Sequence, residues 1–116
     1  MNNIMSNIID LEQYRTQIGS TKSKVFTGRD RGEDVRKRSM IDEVFEKNEK
    51  TRIIIPKDIY SITPSFLEEY FYNIVKKFGK EVVETRLEWV TNGYSIEGAL
   101  AEAFERIQRR INGLDQ

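Results

Sequence analysis

The chain has 116 residues, 38% of them hydrophobic, and its 19 basic and 19 acidic residues give a formal net charge of zero. This length fits one domain with a core of its own, and the charge balance excludes a global field that would attract nucleic acid or anionic lipid. Cysteine and histidine are both absent, which excludes disulfides, thiolate nucleophiles, Cys/His zinc sites and histidine acid–base catalysis.

The N-terminal stretch MNNIMSNIIDLEQY has no basic n-region and is interrupted by Asn, Asp and Glu, so we expect no signal peptide. No apolar run approaches the roughly 20 residues that cross a bilayer, and the expected location is therefore the cytoplasm. The segment NIIDL, residues 7–11, predicts either a first strand or a loosely docked arm. Residues 15–22, RTQIGSTK, carry Gly, Ser and Thr and predict a loop.

The next elements alternate between strand and helix. The segment SKVFT, residues 23–27, predicts a strand that Gly28 ends. Residues 32–47 predict a helix that is broken near Arg38, where the following serine can start a new turn. Residues 52–55 contain three consecutive isoleucines, a β-branched run that is typical of a strand buried on both faces.

The segment ITPSFLEEYF opens the most strongly predicted helix, whose apolar residues recur at spacings of one and three. Thr63 is placed to cap this helix, and Pro64 suits the first helical position because its missing N–H would have no partner there. Gly79 ends the helix. The apolar stripe consists of Phe66, Leu67, Tyr70, Phe71, Ile74, Val75 and Phe78.

A third strand and a last helix complete the pattern. The segment RLEWVT predicts the strand, Asn92 and Gly93 turn the chain, and Ser95 caps a helix that ends before Gly113. Alternating strands and helices predict an α/β fold, with about four mostly parallel strands and three or more helices.

The predicted elements form a single domain over residues 1–116, with the core in 23–112 and a less certain strand or arm with its loop in 1–22. Sheets of this type bring their strand-to-helix turns to one edge. We therefore expect residues 28–32, 61–65 and 92–95 to lie together.

Three segments resemble a known family. The segment SFLEEYF, which is preceded by a buried strand and followed by KKFG, is similar to a motif of the STAS-like family of unknown function. Upstream, GRDRGEDVRKR places Gly32, Glu33 and Arg36 where that family tends to show Gly-Glu-x-x-Arg, and LEWVTN resembles its last strand. The match covers roughly residues 5–110. It implies a small STAS-like domain, similar to the STAS domains of anti-sigma-factor antagonists.

In those antagonists the strand-to-helix corner carries a serine that a partner kinase phosphorylates. Aligned on that corner, Thr63 falls on an aspartate, Pro64 on the usual phosphoserine and Ser65 on a second serine. The usual phosphosite is thus lost, and the resemblance makes Ser65 the candidate phosphorylation residue. The same residues are also an ordinary helix start, which favours a docking surface over a switch.

The resemblance implies a non-enzymatic regulatory module that docks on a protein partner, such as a kinase-like ATPase. No catalytic residue, metal or cofactor is expected, and the sequence does not reveal the oligomeric state. The two glutamates at the corner suit the positive end of a helix, and two nearby tyrosines suit a contact patch. The expected contact face contains Tyr60, Ser61, Thr63, Ser65, Glu68, Glu69 and Tyr72.

A basic glycine turn offers an alternative function. Residues 22–38 contain seven Lys and Arg residues but only three acidic residues. Free N–H groups at a strand-to-helix turn can bind an anion. The segment GRDRGE lacks the Gly-Lys-Ser/Thr ending of a Walker loop. Aromatic residues nearby are too few for stacking of nucleic-acid bases. The candidate anion or nucleotide-phosphate site contains Gly28, Arg29, Gly32 and Arg36.

Overall fold

The computed structural model describes residues 6–113, which form seven short strands, five α-helices and a 3-10 turn at Leu11–Tyr14. In chain order the strands are β1 (Ile8–Asp10), β2 (Gln17–Ile18), β3 (Thr21–Lys22), β4 (Val25–Phe26), β5 (Thr51–Ile54), β6 (Ser61–Ile62) and β7 (Leu87–Val90). The helices are α1 (Arg29–Ser39), α2 (Ile41–Lys47), α3 (Pro64–Phe78), α4 (Lys80–Arg86) and α5 (Glu97–Ile111). No helix within residues 6–113 combines the length and the apolar composition needed to cross a membrane.

The main sheet has three parallel strands in the order β1-β5-β7. A second parallel pair joins β4 to β6, and β2 with β3 forms an antiparallel hairpin. The predicted α/β class with mostly parallel strands is therefore confirmed. The segment at residues 7–11 forms the strand β1 and is not a loose arm. Its residue Ile9 pairs with Ile53 of β5, the central strand of the main sheet.

The helices form a layer that contacts the main sheet through α3, where the ring centres of Phe71 and Trp89 of β7 lie 6.1 Å apart. Helix α3 is at the centre of that layer and packs against α1, α2, α4 and α5. The fold measures 44 × 43 × 23 Å. Ile53 is buried beneath the helices, whereas Arg52 on the other face is exposed. The prediction that this strand is buried on both faces is therefore wrong for the isolated chain.

Helix α3 follows its sequence pattern closely. The Thr63 hydroxyl oxygen accepts a hydrogen bond from the Phe66 N–H at 3.4 Å, and Pro64 occupies the first turn. Gly79 ends the helix with φ 92°, a conformation that side chains disfavour. The apolar stripe is buried except for the half-buried Phe78. The amphipathic period therefore predicted both the element and its buried face.

The segment predicted as a loop at residues 15–22 contains the β2–β3 hairpin instead. Gly19 has φ 59° and lies at the first central position of a two-residue turn, where hairpins favour glycine. The Arg15 guanidinium anchors the base of the hairpin with two hydrogen bonds to Asp58, at 2.9 and 3.0 Å, and one to the Ser23 carbonyl. These distant partners explain why local composition indicated only a loop.

The first long helix is broken as predicted, although at a slightly different residue. Helix α1 starts at Arg29 and not at residue 32, and Met40 interrupts the chain with φ 58° before α2 begins. Ser95 does not cap the last helix as predicted. The N-cap of α5 is Ile96, which makes no side-chain cap, and its burial against the core fixes where the helix starts.

Helix α4 was not predicted, because seven residues carry too little periodicity to identify a helix. Its last residue, Arg86, donates a hydrogen bond to the Asn48 carbonyl at 2.6 Å and another to the Phe45 carbonyl. Its guanidinium carbon also lies 4.2 Å from the centre of the Phe45 ring. A cation at this position satisfies carbonyls at the C-terminal end of α2, where the helix dipole favours positive charge.

Candidate functional site

Three turns meet at one edge of the fold, which we call the rim. The Gly28 N–H donates to the Thr63 hydroxyl at 3.2 Å, and the Thr63 N–H donates to the Phe26 carbonyl at 3.0 Å. From the third turn, the Tyr94 hydroxyl accepts the Ile62 N–H at 2.7 Å. The predicted convergence of residues 28–32, 61–65 and 92–95 is thereby confirmed.

The Thr63 hydroxyl connects the parts of the rim. It accepts hydrogen bonds from the N–H groups of Gly28 and Phe66, which together use both of its lone pairs. Its hydrogen is then free to donate to the Ser65 hydroxyl, whose oxygen lies 3.1 Å away. Thr63 therefore has a structural task in the fold, whereas Ser65 is half-buried in the first turn of α3.

Tyr60 is the most exposed large side chain near the rim, with 71% of its surface accessible. Its backbone N–H donates to the Lys24 carbonyl at 2.9 Å, which fixes its position although the ring is in solvent. It borders an open groove of about 810 Å³ that Ile18 and Val25 also line. Tyr60 thus lies beside the β2–β3 hairpin, at the opposite end of β6 from the rim, on a backbone that a hydrogen bond holds in place.

Glu68 was predicted on the contact face, but the structure buries it. Only 6% of its side chain is exposed, because helix α5 crosses over α3 at this point. Its carboxylate accepts a hydrogen bond from Arg110 at 2.9 Å and forms an ion pair with Arg106 at 3.8 Å. Glu68 therefore holds two helices together and is not accessible to a partner.

Glu69 is also engaged inside the molecule, with 15% of its side chain exposed. Its carboxylate accepts hydrogen bonds from Arg29 at 3.2 Å, Arg36 at 3.3 Å and Arg110 at 2.9 Å. Arg36 also donates to the backbone carbonyl of Glu69 at 2.7 Å. These four residues, together with Glu68 and Arg106, form what we call the arginine–glutamate cluster: Arg29, Arg36, Glu68, Glu69, Arg106 and Arg110. The structure thus gives Glu69 a role within the chain, and its place on the contact face stays a prediction.

Tyr72 belongs to the same internal arrangement and not to an open contact patch. The Arg110 guanidinium carbon lies 4.0 Å from the centre of its ring, and the Lys76 ammonium lies 5.8 Å from it. The ring is half-buried and packs against the core. A guanidinium stacked on an aromatic face is stabilised by the charge distribution of the ring. Tyr72 therefore orients Arg110 toward the two glutamates.

The basic glycine turn is largely occupied by bonds within the chain. The Gly32 N–H donates to the Gly28 carbonyl at 3.0 Å as part of helix α1, and the Gly28 N–H is bound to Thr63. Arg36 is nearly buried on Glu69, and the more exposed Arg29 is paired with the same carboxylate. The predicted anion site at these four residues therefore gains no support from the geometry.

The arginine–glutamate cluster gives Glu69 an unusual acidity. Burial alone raises the pKa of Glu69, but hydrogen bonds from Arg110 and Arg29 outweigh burial and lower this pKa below its ordinary value of 4.5. Because folding lowers the pKa, the folded state favours the ionised carboxylate. This contribution to stability is complete above pH 4.5 and is lost as the pH falls through the folded-state pKa.

This pH dependence can be measured by urea unfolding of the wild-type chain and of Glu69→Gln. We expect the wild type to be more stable at neutral pH and the difference in free energy of unfolding to shrink in acid, since both side chains are then uncharged. The lowered pKa values of Glu12, Glu46 and Asp58 affect both proteins equally and cancel in the difference. A difference that stays constant from neutral to strongly acidic pH would contradict the role of Glu69.

Sequence reasoning missed Arg106, Arg110 and Tyr94 as members of this region. The two arginines are four residues apart and hence on one face of α5, which was a usable signal for a helix that meets acidic partners. Nothing in the local sequence indicates that their partners are Glu68 and Glu69. Tyr94 lies beside the predicted turn, but its hydroxyl finds the Ile62 backbone only in the folded chain.

The geometry thus separates the rim and the exposed Tyr60 from a largely buried ion-pair cluster. Comparisons of the chain with protein-family models, with curated proteins and with solved structures returned no match. The STAS-like resemblance therefore remains a prediction that depends on the sequence motifs.

Proposed function

We propose that the chain is a non-enzymatic, STAS-like regulatory module of the cytoplasm that binds a protein partner through the rim. The contact face contains Tyr60, Ser61, Thr63 and Ser65. The observation that carries this proposal is the 71% exposure of Tyr60 on a backbone fixed by hydrogen bonds. The partner class, a kinase-like ATPase, is proposed from the resemblance to anti-sigma-factor antagonists.

The chemistry of the rim favours recognition over catalysis. Tyrosine contributes a large apolar area and a polar end with only two rotatable side-chain angles, so little entropy is lost when a partner orders it. Tyrosine is accordingly among the residues that dominate binding energy at protein interfaces. The hydroxyls of Thr63 and Ser65 are bonded to one another and to backbone groups, in an arrangement that shapes a surface.

The buried cluster behind the rim supports the proposal indirectly. Glu69 links α1 to α3 through Arg36, and Glu68 links α3 to α5 through Arg110. These bonds fix the helix whose first turn carries Ser65. A surface that is rigid before binding pays less to become ordered in the complex. Glu68, Glu69 and Tyr72 are therefore supports of the contact face and not members of it.

Ser65 is retained as the candidate phosphorylation residue of the module. A phosphate at this residue would lie in the first turn of α3, where the helix dipole stabilises negative charge. The added charge would also lie four residues before Glu69. Of the three arginines that pair with Glu69, Arg29 is the most exposed. Phosphorylation would in this way change the charge of the contact face without entering the core.

Affinity capture with paired variants tests the proposal. We expect Tyr60→Ala to weaken capture of the kinase-like ATPase by about 2 kcal/mol, or roughly thirtyfold in affinity, which is typical of a central aromatic anchor. The melting temperature should not change, because the Tyr60 ring is in solvent. The matched control is Val82→Ala, an exposed apolar residue in α4 beyond the other end of α3. Equal capture by wild type and Tyr60→Ala would remove the rim as the binding surface.

A further inference from the structure

The outer face of the main sheet is not covered by any element within residues 6–113. Strand alternation and register place six side chains on this face in two rows that run across the strands. The first row is Ile8, Arg52 and Glu88, and the second row is Asp10, Ile54 and Val90. Ile8 is 46% exposed and Val90 is 37% exposed, and Ile54 is half-buried.

An open face is unusual for a parallel sheet, because such sheets are almost always covered on both sides. The three consecutive isoleucines of residues 53–55 are typical of a strand buried on both faces, yet Ile54 is only half-buried. Apolar residues at the edges and centre of the face lose contact with water only if another molecule covers them. The isoleucine run, which predicts burial on both faces, is therefore consistent with the fold if another molecule covers the outer face of the sheet.

We propose that a second copy of this chain covers this face, related to the first by a two-fold axis that runs parallel to the strands between β5 and β7. Such an axis brings each residue of β5 opposite the β7 residue of the same row in the other copy. Arg52 then meets Glu88 of the other copy, and Ile54 meets Val90 of the other copy. Each contact occurs twice, as a two-fold interface requires.

Charge is the reason to choose a second copy over a different protein. The first row carries one basic and one acidic side chain, which already form an ion pair within the chain at 3.5 Å. The face is therefore electrically complementary to itself, whereas a purely acidic or purely basic surface would place like charges together.

Sedimentation equilibrium of the full chain over a range of concentrations tests the proposal. We expect the wild type to approach twice its monomer mass of 13.7 kDa as concentration rises. Arg52→Glu and Glu88→Arg should each weaken dimerisation at least about tenfold, because positions 52 and 88 of the two copies then carry like charges. Both residues are exposed, so the single variants should stay folded by circular dichroism.

A mixture of the two variants distinguishes a lost interface from a damaged fold. Arg52→Glu and Glu88→Arg should each remain monomeric alone and form a mixed dimer when combined, since positions 52 and 88 then carry opposite charges across the interface, while the contact within each copy is the same alone and in the mixture. Arg109→Glu, a reversal on the helix layer, is the control that should dimerise like the wild type. A wild type that stays at the monomer mass, or a dimer that neither reversal weakens, would overturn the proposal.

Discussion

Replacing Arg110 by alanine is expected to lower the free energy of unfolding by about 3 kcal/mol, which is the lower end of the cost of removing one partner from a buried ion pair. The guanidinium reaches Glu68 and Glu69 at 2.9 Å each and covers the ring of Tyr72. Without it, Glu68 keeps only the more distant Arg106, and both carboxylates lose a charge-assisted hydrogen bond. Urea unfolding at neutral pH measures the loss.

Arg109→Ala is the matched control for this variant. Arg109 is the preceding residue of the same helix, but its ion pair with Glu105 is exposed on both sides. Exposed pairs one turn apart contribute only about 0.3–0.5 kcal/mol, so this variant should be close to the wild type. If the two variants were equally stable, the buried cluster would not hold α3 to α5.

Replacing Gly32 by alanine is expected to cost about 2–3 kcal/mol, although alanine is ordinarily the better helix former. A methyl group at this position would overlap the Phe66 carbonyl oxygen and approach the Glu69 Cβ to 3.1 Å. Backbone cannot move aside as a side chain can, so α1 must shift away from α3. The shift would also lengthen the bonds from Arg36 to Glu69. Thermal unfolding followed by circular dichroism measures the change.

Gly98→Ala provides the comparison. Gly98 is also a helical glycine, but a methyl group there has no atom within 4 Å. Alanine should leave the stability unchanged or raise it by up to about 1 kcal/mol, because it reduces the entropy of the unfolded chain. Two Gly→Ala changes in one protein are thus expected to differ in sign. Stabilisation by both would mean that α1 and α3 are farther apart than described.

The long amphipathic elements were predictable because their pattern depends on local sequence alone. The stripe of α3, its threonine cap and its final glycine needed only the helical period and the chemistry of helix ends. The isoleucine run identified β5 for the same reason. Two of the converging turns follow the paired parallel strands β4 and β6, as strand connectivity predicts, whereas the third joins them through the Tyr94 hydroxyl.

The errors concern residues whose roles depend on distant partners. Glu68 and Glu69 have the composition of a solvated helix start, and only the position of α5 makes them internal. The β2–β3 hairpin depends on Arg15 reaching Asp58 across 43 residues of sequence. Ile54 was assigned to a buried environment from its side chain, whereas the helices gather on the opposite face of the sheet.

The placement of Arg110, 42 residues after Glu68 in the chain, has a consequence for how the protein is made. During synthesis α3 leaves the ribosome well before α5, so its two carboxylates remain hydrated until the final helix emerges. Burial of Glu68 before that moment would leave a charge without its partners. The contact between α3 and α5 can therefore close only after the last helix has left the ribosome, whereas α1, α2 and α4 can pack on α3 while Glu68 is still hydrated.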